Sequence, residues 1–351
     1  MWFRKRSEPG PSATEQLMES FAGEVIDVLA AAGVLVDEFD RVTRASEGAE
    51  KMGLVTGKRL VHAPLVELVR RAREADQVLE TEAELAPQQG LEPKFVAARA
   101  AKFGERFVIL LVDDRTETRR LESIRRDFVA NVSHELKTPI GAISLLSEAI
   151  QNATDEPDTV AKFAESLQRE SQRLGNLVQE IIELSKVQGG IVPEARTQLE
   201  VRAVVMDAID RSQLLADQRG VRLVANAPSG IKLVGDHEML TVAVRNLVEN
   251  AIVYSEAGTQ VGVGLREAEG AVEISVTDSG IGIPEAEQER IFERFYRIDQ
   301  SRSRETGGTG LGLSIVKHAV ANHGGEVRLF SRQGVGSTFT IRIPSPATTI
   351  G

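Results

Sequence analysis

Positions 160, 163, 167, 170, 174, 177, 181 and 184 alternate steps of three and four residues and read Val, Phe, Leu, Glu, Leu, Leu, Ile and Leu. Seven of the eight are apolar, which predicts a long helix, from about Asp158 to Val187, with one continuous packing seam. Upstream, from Arg115, an Arg- and Glu-rich stretch carries a second apolar stripe at Leu121, Ile124, Phe128 and Val132. The string TDEP at 154–157 breaks the two apart. Two such helices cannot bury full stripes against only each other. The expected solution is an antiparallel hairpin that dimerises into a four-helix bundle, with a monomeric core hairpin as the alternative.

Composition removes several classes of function. The 351 residues carry 42 Lys+Arg against 52 Asp+Glu, a net charge of −10, so a basic face wrapping nucleic acid is disfavoured. With 42% hydrophobic residues the chain can bury real cores. There are no cysteines, which excludes disulfides, thiolate metal sites and Cys nucleophiles. The five histidines, at 62, 134, 237, 318 and 323, lack metal-ligand spacing. No apolar run is long enough to span a bilayer; the best, 25–36, is short and contains Asp27. The basic start, MWFRKR, reads either as a solvated tail or as the cytoplasmic flank of a membrane helix.

The texture divides the chain into a basic tail over 1–20, a small α/β module over 21–114, the hairpin over 115–190 and an α/β block over 195–348. In the module, 31–38 and 106–113 read as strands and Leu65–Leu79 as a helix. It shows no catalytic pair, so sensing or binding is its default role. In the last block, helices are expected near 202–219, 236–254 and 311–323, with strands at 221–225, 260–266, 272–278, 327–330 and 338–343.

Four strings carry chemistry. DFVANVSHELKTPI, 127–140, places His134 off the apolar stripe and facing solvent, with Glu135 adjacent and Thr138 one turn on along the same face. Pro139 removes a helical hydrogen bond beside them and should kink the helix. An exposed imidazole there suits a nucleophile, although alone it reads equally as a surface histidine. In RNLVENAIVYS, Asn246 and Asn250 share a helix face, and amide oxygens can ligate Mg²⁺. DSGIGIP, 278–284, puts Asp278 at a strand end followed by Gly280 and Gly282, which let backbone approach a ligand. GGTGLGL, 307–313, opens a helix and forms an anion-type loop through Gly308, Thr309, Gly310, Leu311 and Gly312. It is neither a Walker loop nor a Rossmann turn. Between these two lies ERIFERFYRID, 289–299, suited to a lid over a charged ligand.

In this order the strings resemble those of a bacterial sensor histidine kinase over roughly 124–344, with wording nearest the phosphate-responsive kinases of actinobacteria. The resemblance implies a multidomain α+β chain: a PAS-like sensor module, a dimeric helical-hairpin phosphotransfer domain and an ATP-binding α/β sandwich of the kinase and Hsp90 type. It implies that His134 takes the γ-phosphoryl of ATP, that Glu135 orients it and accepts its proton, and that Thr138 positions water for dephosphorylating the partner. Asn250 would hold Mg²⁺, and Asn246 would steady the phosphates. Asp278 would read the adenine amine with Tyr254 against the ring, and Arg297 would face the γ-phosphate. The implied partners are a second copy of the chain and a response regulator, without direct nucleic-acid binding. In that family membrane helices usually precede the sensor module; none occurs in this sequence, which as given reads as cytoplasmic, with membrane association through such helices left open. Two departures stand out: Val253 where the family commonly has Lys or Arg, and Gln300 where it often has Lys, with Arg302 and Arg304 nearby to compensate.

A gyrase- or chaperone-type ATPase would share the Asn and Gly strings but lack the His134 helix. A non-catalytic nucleotide-binding scaffold would not require His134, Asn250 and Asp278 together.

Overall fold

The computed structural model describes residues 26, 31–86, 93–153, 155–191, 193–298 and 308–345. The basic start, Gly307, Gln300, Arg302 and Arg304 lie outside the described residues. The chain forms two compact units, 1–127 and 128–351.

The first unit is built on five antiparallel strands, β1 (Ala32–Val36), β2 (Val42–Ala45), β5 (Leu79–Leu85), β6 (Lys94–Phe103) and β7 (Phe107–Asp114), in the order β2-β1-β7-β6-β5. A short hairpin, β3 (Val55–Thr56) and β4 (Arg59–Leu60), and two helices, α1 (Glu47–Lys51) and α2 (Ala63–Glu74), fill the connection. Alternate residues of β6 and β7 (Val96, Ala98, Ala100; Val108, Leu110, Val112) are buried with Leu65, Leu68, Val69 and Ala72 of α2. Those four α2 positions step by three, one and three, the spacing of a single helix face.

One expectation needs correction here. The helix expected over Leu65–Leu79 stops at Glu74, where Ala75 turns extended (ψ 141°), and Leu79 already begins β5. Every strand pair in the module's sheet is antiparallel.

The exit from β7 is tied down: Thr116 N–H donates to Asp114 Oδ1 (3.0 Å), Phe95 N–H donates to Thr116 Oγ1 (3.0 Å), and Lys94 pairs with Asp114 (3.1 Å). These anchor the first turn of α3 (Thr116–Asn152), one helix that runs unbroken through Pro139.

In the second unit α4 (Pro157–Gln188) returns after α3, and every seam position from 160 to 184 is buried or half-buried. Then come β8 (Thr197–Glu200), α5 (Val201–Arg219), β9 (Arg222–Asn226), β10 (Lys232–Gly235), α6 (His237–Tyr254), β11 (Gln260–Ala268), β12 (Ala271–Thr277), α7 (Gly312–Asn322), β13 (Glu326–Arg332) and β14 (Gly336–Pro344). The sheet order is β13-β14-β12-β11-β9; only the β9–β11 pair is parallel. Central β12 is buried on both faces, as a strand covered on both sides requires. The two-stranded β8–β10 sheet was not foreseen from the sequence.

Helix α6 positions the site, and its start is specified twice. Asp236 is the N-cap, accepting from Met239 N–H (3.0 Å). His323 Nε2 accepts the Asp236 N–H (3.0 Å), while Nδ1 faces Ala319 O (2.7 Å). Burial lowers the His323 pKa, which keeps the ring neutral and able to accept.

Candidate functional site

The C-terminal half of α6, the loop after β12 and the start of α7 meet in the second unit, and glycines set how closely. A Cβ on Gly312 would stand 2.7 Å from Asn246 Oδ1 and 3.8 Å from Asn250 Nδ2, so this glycine brings the Gly-rich loop against both asparagines. A Cβ on Gly280 would be 2.4 Å from the Tyr254 carbonyl oxygen, which seats the 278–284 loop on the end of α6. Gly282 has φ +66° and would strike the Arg332 carbonyl at 2.1 Å; Gly310 has φ +79° and would strike Phe295 backbone at 2.8 Å. Gly308 is the exception, with open space around it.

The polar atoms fall into two groups. Asn246 is buried, and its amide NH₂ is spent on Val242 O (2.8 Å), leaving its oxygen toward Gly312. Asn250, one turn later, is half-buried on the same face. Asp278 is buried; its Oδ1 accepts from Gly280 N–H (2.8 Å) and Ser337 N–H (3.2 Å). Burial raises its pKa, with those two backbone bonds pulling the other way. Its second oxygen takes neither bond and can receive a ligand amine. Tyr254 is exposed at the rim.

Oxygen donors of this kind suit Mg²⁺. Among the described residues no group of three or more His, Asp or Glu could hold a metal by itself, so phosphate and water would have to complete the shell. The residues present fit that division, since both asparagines carry an amide oxygen on one face of α6 beside the Gly-rich loop.

His134 is exposed on α3, as expected, and Thr138 donates its hydroxyl to the His134 carbonyl (3.3 Å). Arg297 lies 4.0 Å from the Glu135 carboxylate. Arg297, which the resemblance sets toward the γ-phosphate, thus lies beside the neighbour of His134. The segment around it docks on α3 as well, with Phe295 stacked at 6.0 Å on Phe128 and Arg294 lying 5.8 Å over the same ring.

Two further residues escaped the sequence reading. Glu180 on α4 accepts the Thr309 hydroxyl, and Glu183 takes Arg245 at 2.7 and 2.9 Å. The only sequence signal was their place beside seam positions 181 and 184, because their partners lie 129 and 62 residues away. In the first unit, a cleft of about 660 Å³ is lined by Arg99, Arg115 and Arg119, which pair with Glu80, Asp113 and Glu82. It contains none of the motif residues.

A helical hairpin bearing an exposed histidine, followed by an ATPase-type sandwich with an Asn–Asp–Gly rim, defines an ATP-dependent protein-histidine kinase. Comparison with known proteins agrees. Residues 124–190 match the His Kinase A (phospho-acceptor) domain, and 235–347 match the histidine kinase-, DNA gyrase B- and HSP90-like ATPase. The sensor-like histidine kinase SenX3 of Mycolicibacterium smegmatis is 43% identical over 317 residues, covering 88% of this chain and 82% of that protein. The phosphate regulon sensor protein PhoR of Pseudomonas aeruginosa is 36% identical over 239 residues, 68% of this chain and 54% of its own length. The solved histidine kinase ThkA, in complex with the response regulator TrrA, shares the fold at a TM-score of 0.53 and 20% identity, covering 92% of this chain and 98% of its own. The chain belongs to the sensor histidine kinases of two-component systems. It is an ATP-using enzyme of autophosphorylation and phosphotransfer. Among the described residues no helix is long and apolar enough to cross a membrane.

Proposed function

We propose that His134 is the phosphoacceptor and that the Asn246–Asn250–Asp278 rim is the nucleotide site that serves it. The observation that carries this is the convergence on Gly312: only a residue without a side chain lets the Gly-rich loop lie on Asn246, with Asn250 beside it, at the start of a helix, where backbone N–H groups favour phosphate. Asp278 holds the adenine amine through its free oxygen, Tyr254 covers the ring, Gly280, Gly282, Gly308 and Gly310 shape the wall, and Thr309 and Leu311 present the loop. Asn250, with Asn246 behind it, holds Mg²⁺. The ion neutralises charge on the phosphates when bound.

The His134 imidazole attacks the γ-phosphorus, forming an N–P bond as the bond to the β,γ-bridging oxygen breaks and ADP leaves. Glu135 orients the ring and takes its proton; Arg297 beside it faces the charge that shifts there. The phosphoryl group then passes to an aspartate of a response regulator, the kind of partner that the ThkA structure contains. Thr138 aims water when the regulator is dephosphorylated.

Exposed apolar residues on the hairpin support dimerisation through it. Val129, Ile140, Leu145, Val178 and Ile182 are all exposed in the single chain. The first unit, with its β2-β1-β7-β6-β5 sheet, serves as a PAS-like sensor over 21–114, ahead of the hairpin at 115–190 and the catalytic domain at 195–348. Similarity to the phosphate regulon sensor protein PhoR makes phosphate starvation the first stimulus to test. Transfer from the labelled kinase to a panel of response regulators tests the reading. Rapid transfer to one regulator is expected, and a chain that binds Mg·ATP but never becomes labelled would contradict it.

A further inference from the structure

Glu180 and Glu183 stand one turn apart on α4, and each reaches a different wall of the nucleotide site. Glu180 accepts the Thr309 hydroxyl, whose oxygen in turn accepts Leu311 N–H (3.2 Å). Leu311 caps α7, and the next residue is Gly312, which lies against Asn246 and Asn250. On the other wall Glu183 grips Arg245, the residue before Asn246, and Arg245 reaches Glu249, the residue before Asn250, at 3.6 Å. Two carboxylates on one helical turn of the hairpin therefore hold both halves of the site.

We infer that Glu180 is a positioning residue that tethers the Gly-rich loop to α4 and sets hairpin docking in competition with nucleotide binding. The inference rests on the nucleotide-site reading above. Around Glu180 the charged groups are Glu183 from α4 and Arg245 and Glu249 from α6, with Thr309 of the loop as its hydrogen-bond partner. Three carboxylates share one guanidinium. A polyphosphate beside Asn246 and Asn250 adds like charge where burial leaves little screening. The crowding is already felt: burial, and then Glu183 and Glu249, push the Glu180 carboxyl up to about 7 against the opposing pull of Thr309 and Arg245. Tethered and nucleotide-loaded arrangements disfavour each other, and by linkage a weakened tether strengthens nucleotide binding.

The test uses the full chain, with Mg·AMP-PNP affinity and autophosphorylation kinetics measured for the unmodified protein, Glu180→Ala and Glu180→Gln. Glu180→Ala is expected to tighten AMP-PNP binding about five-fold or more and to lower KM for ATP more than it changes kcat. Glu180→Gln keeps an acceptor for Thr309, so its shift lies between the two, and it carries the test if the Ala variant does not fold. An unchanged or weakened affinity in the variants, or a fall in kcat at constant KM, would make Glu180 an ordinary packing residue and overturn the tether. No AMP-PNP binding by the unmodified chain would overturn the nucleotide-site reading, and the tether with it.

Discussion

Both units contain a five-stranded sheet, yet their glycines tell them apart. In the first unit a Cβ on Gly57 would meet nothing within 4 Å, and one on Gly33 would meet the side chain of Ile26 and no other backbone. In the second, Gly280, Gly282, Gly310 and Gly336 each abut another stretch of backbone, and Gly312 abuts Asn246. The first sheet is held by alternating apolar residues and exposed ion pairs such as Arg99–Glu80, each adding at most about 1 kcal/mol. The second spends conformational freedom to bring backbone and amides together at the site. Among the described glycines, the approaches to other backbone under 3 Å fall in the second unit, where the motif residues are.

The sharpest way to break the comparison is a pair of glycine substitutions. Gly282→Ala forces a Cβ onto the Arg332 carbonyl at positive φ, with an expected stability loss of at least about 3 kcal/mol. Gly57→Ala, also at positive φ but in open space, should cost only ~1–2 kcal/mol. Urea unfolding of both variants decides; equal losses would erase the distinction.

A pH experiment comes next. Glu180 is raised from 4.5 to about 7, chiefly by burial. Its protonated form suits the fold, so its contribution is fully present below about 4.5 and is lost as pH rises through about 7. The stability of the unmodified chain relative to Glu180→Gln should therefore fall by up to about 3 kcal/mol across that window. A flat difference would mean that the carboxyl is not buried in solution.

Asn250→Ala should weaken Mg·AMP-PNP binding on the order of a hundred-fold, ~2.7 kcal/mol, while unfolding shifts by less than about 1 kcal/mol. Isothermal titration alongside thermal unfolding separates the two. The smallest effect is expected at Thr138. Thr138→Ala should keep autophosphorylation within a few-fold and slow dephosphorylation of the regulator about ten-fold. Equal losses in both rates would make its bond to the His134 carbonyl a purely structural one.

What the sequence made legible follows the same division. The hairpin seam and the His134, Asn250, Asp278 and Gly312 strings could be read because each demand is local: a helix face, a strand end, a glycine where no Cβ fits. β5 and β6 were missed because LETEAEL and KFVAARAAKF are rich in Ala and Glu, poor strand formers in isolation. Their Ala98 and Ala100 are small because α2 packs over that face, a tertiary reason invisible locally. Glu180 and Glu183 were missed because helix periodicity marks the seam but not what stands beside it.

The central claim is that His134 receives the phosphoryl group from the separate nucleotide site formed by Asn246, Asn250 and Asp278. Incubating His134→Gln with labelled Mg·ATP, and measuring both nucleotide binding and acid-labile, alkali-stable label, tests it most directly. The account expects unchanged binding and no such label; phosphohistidine surviving in that variant would contradict it.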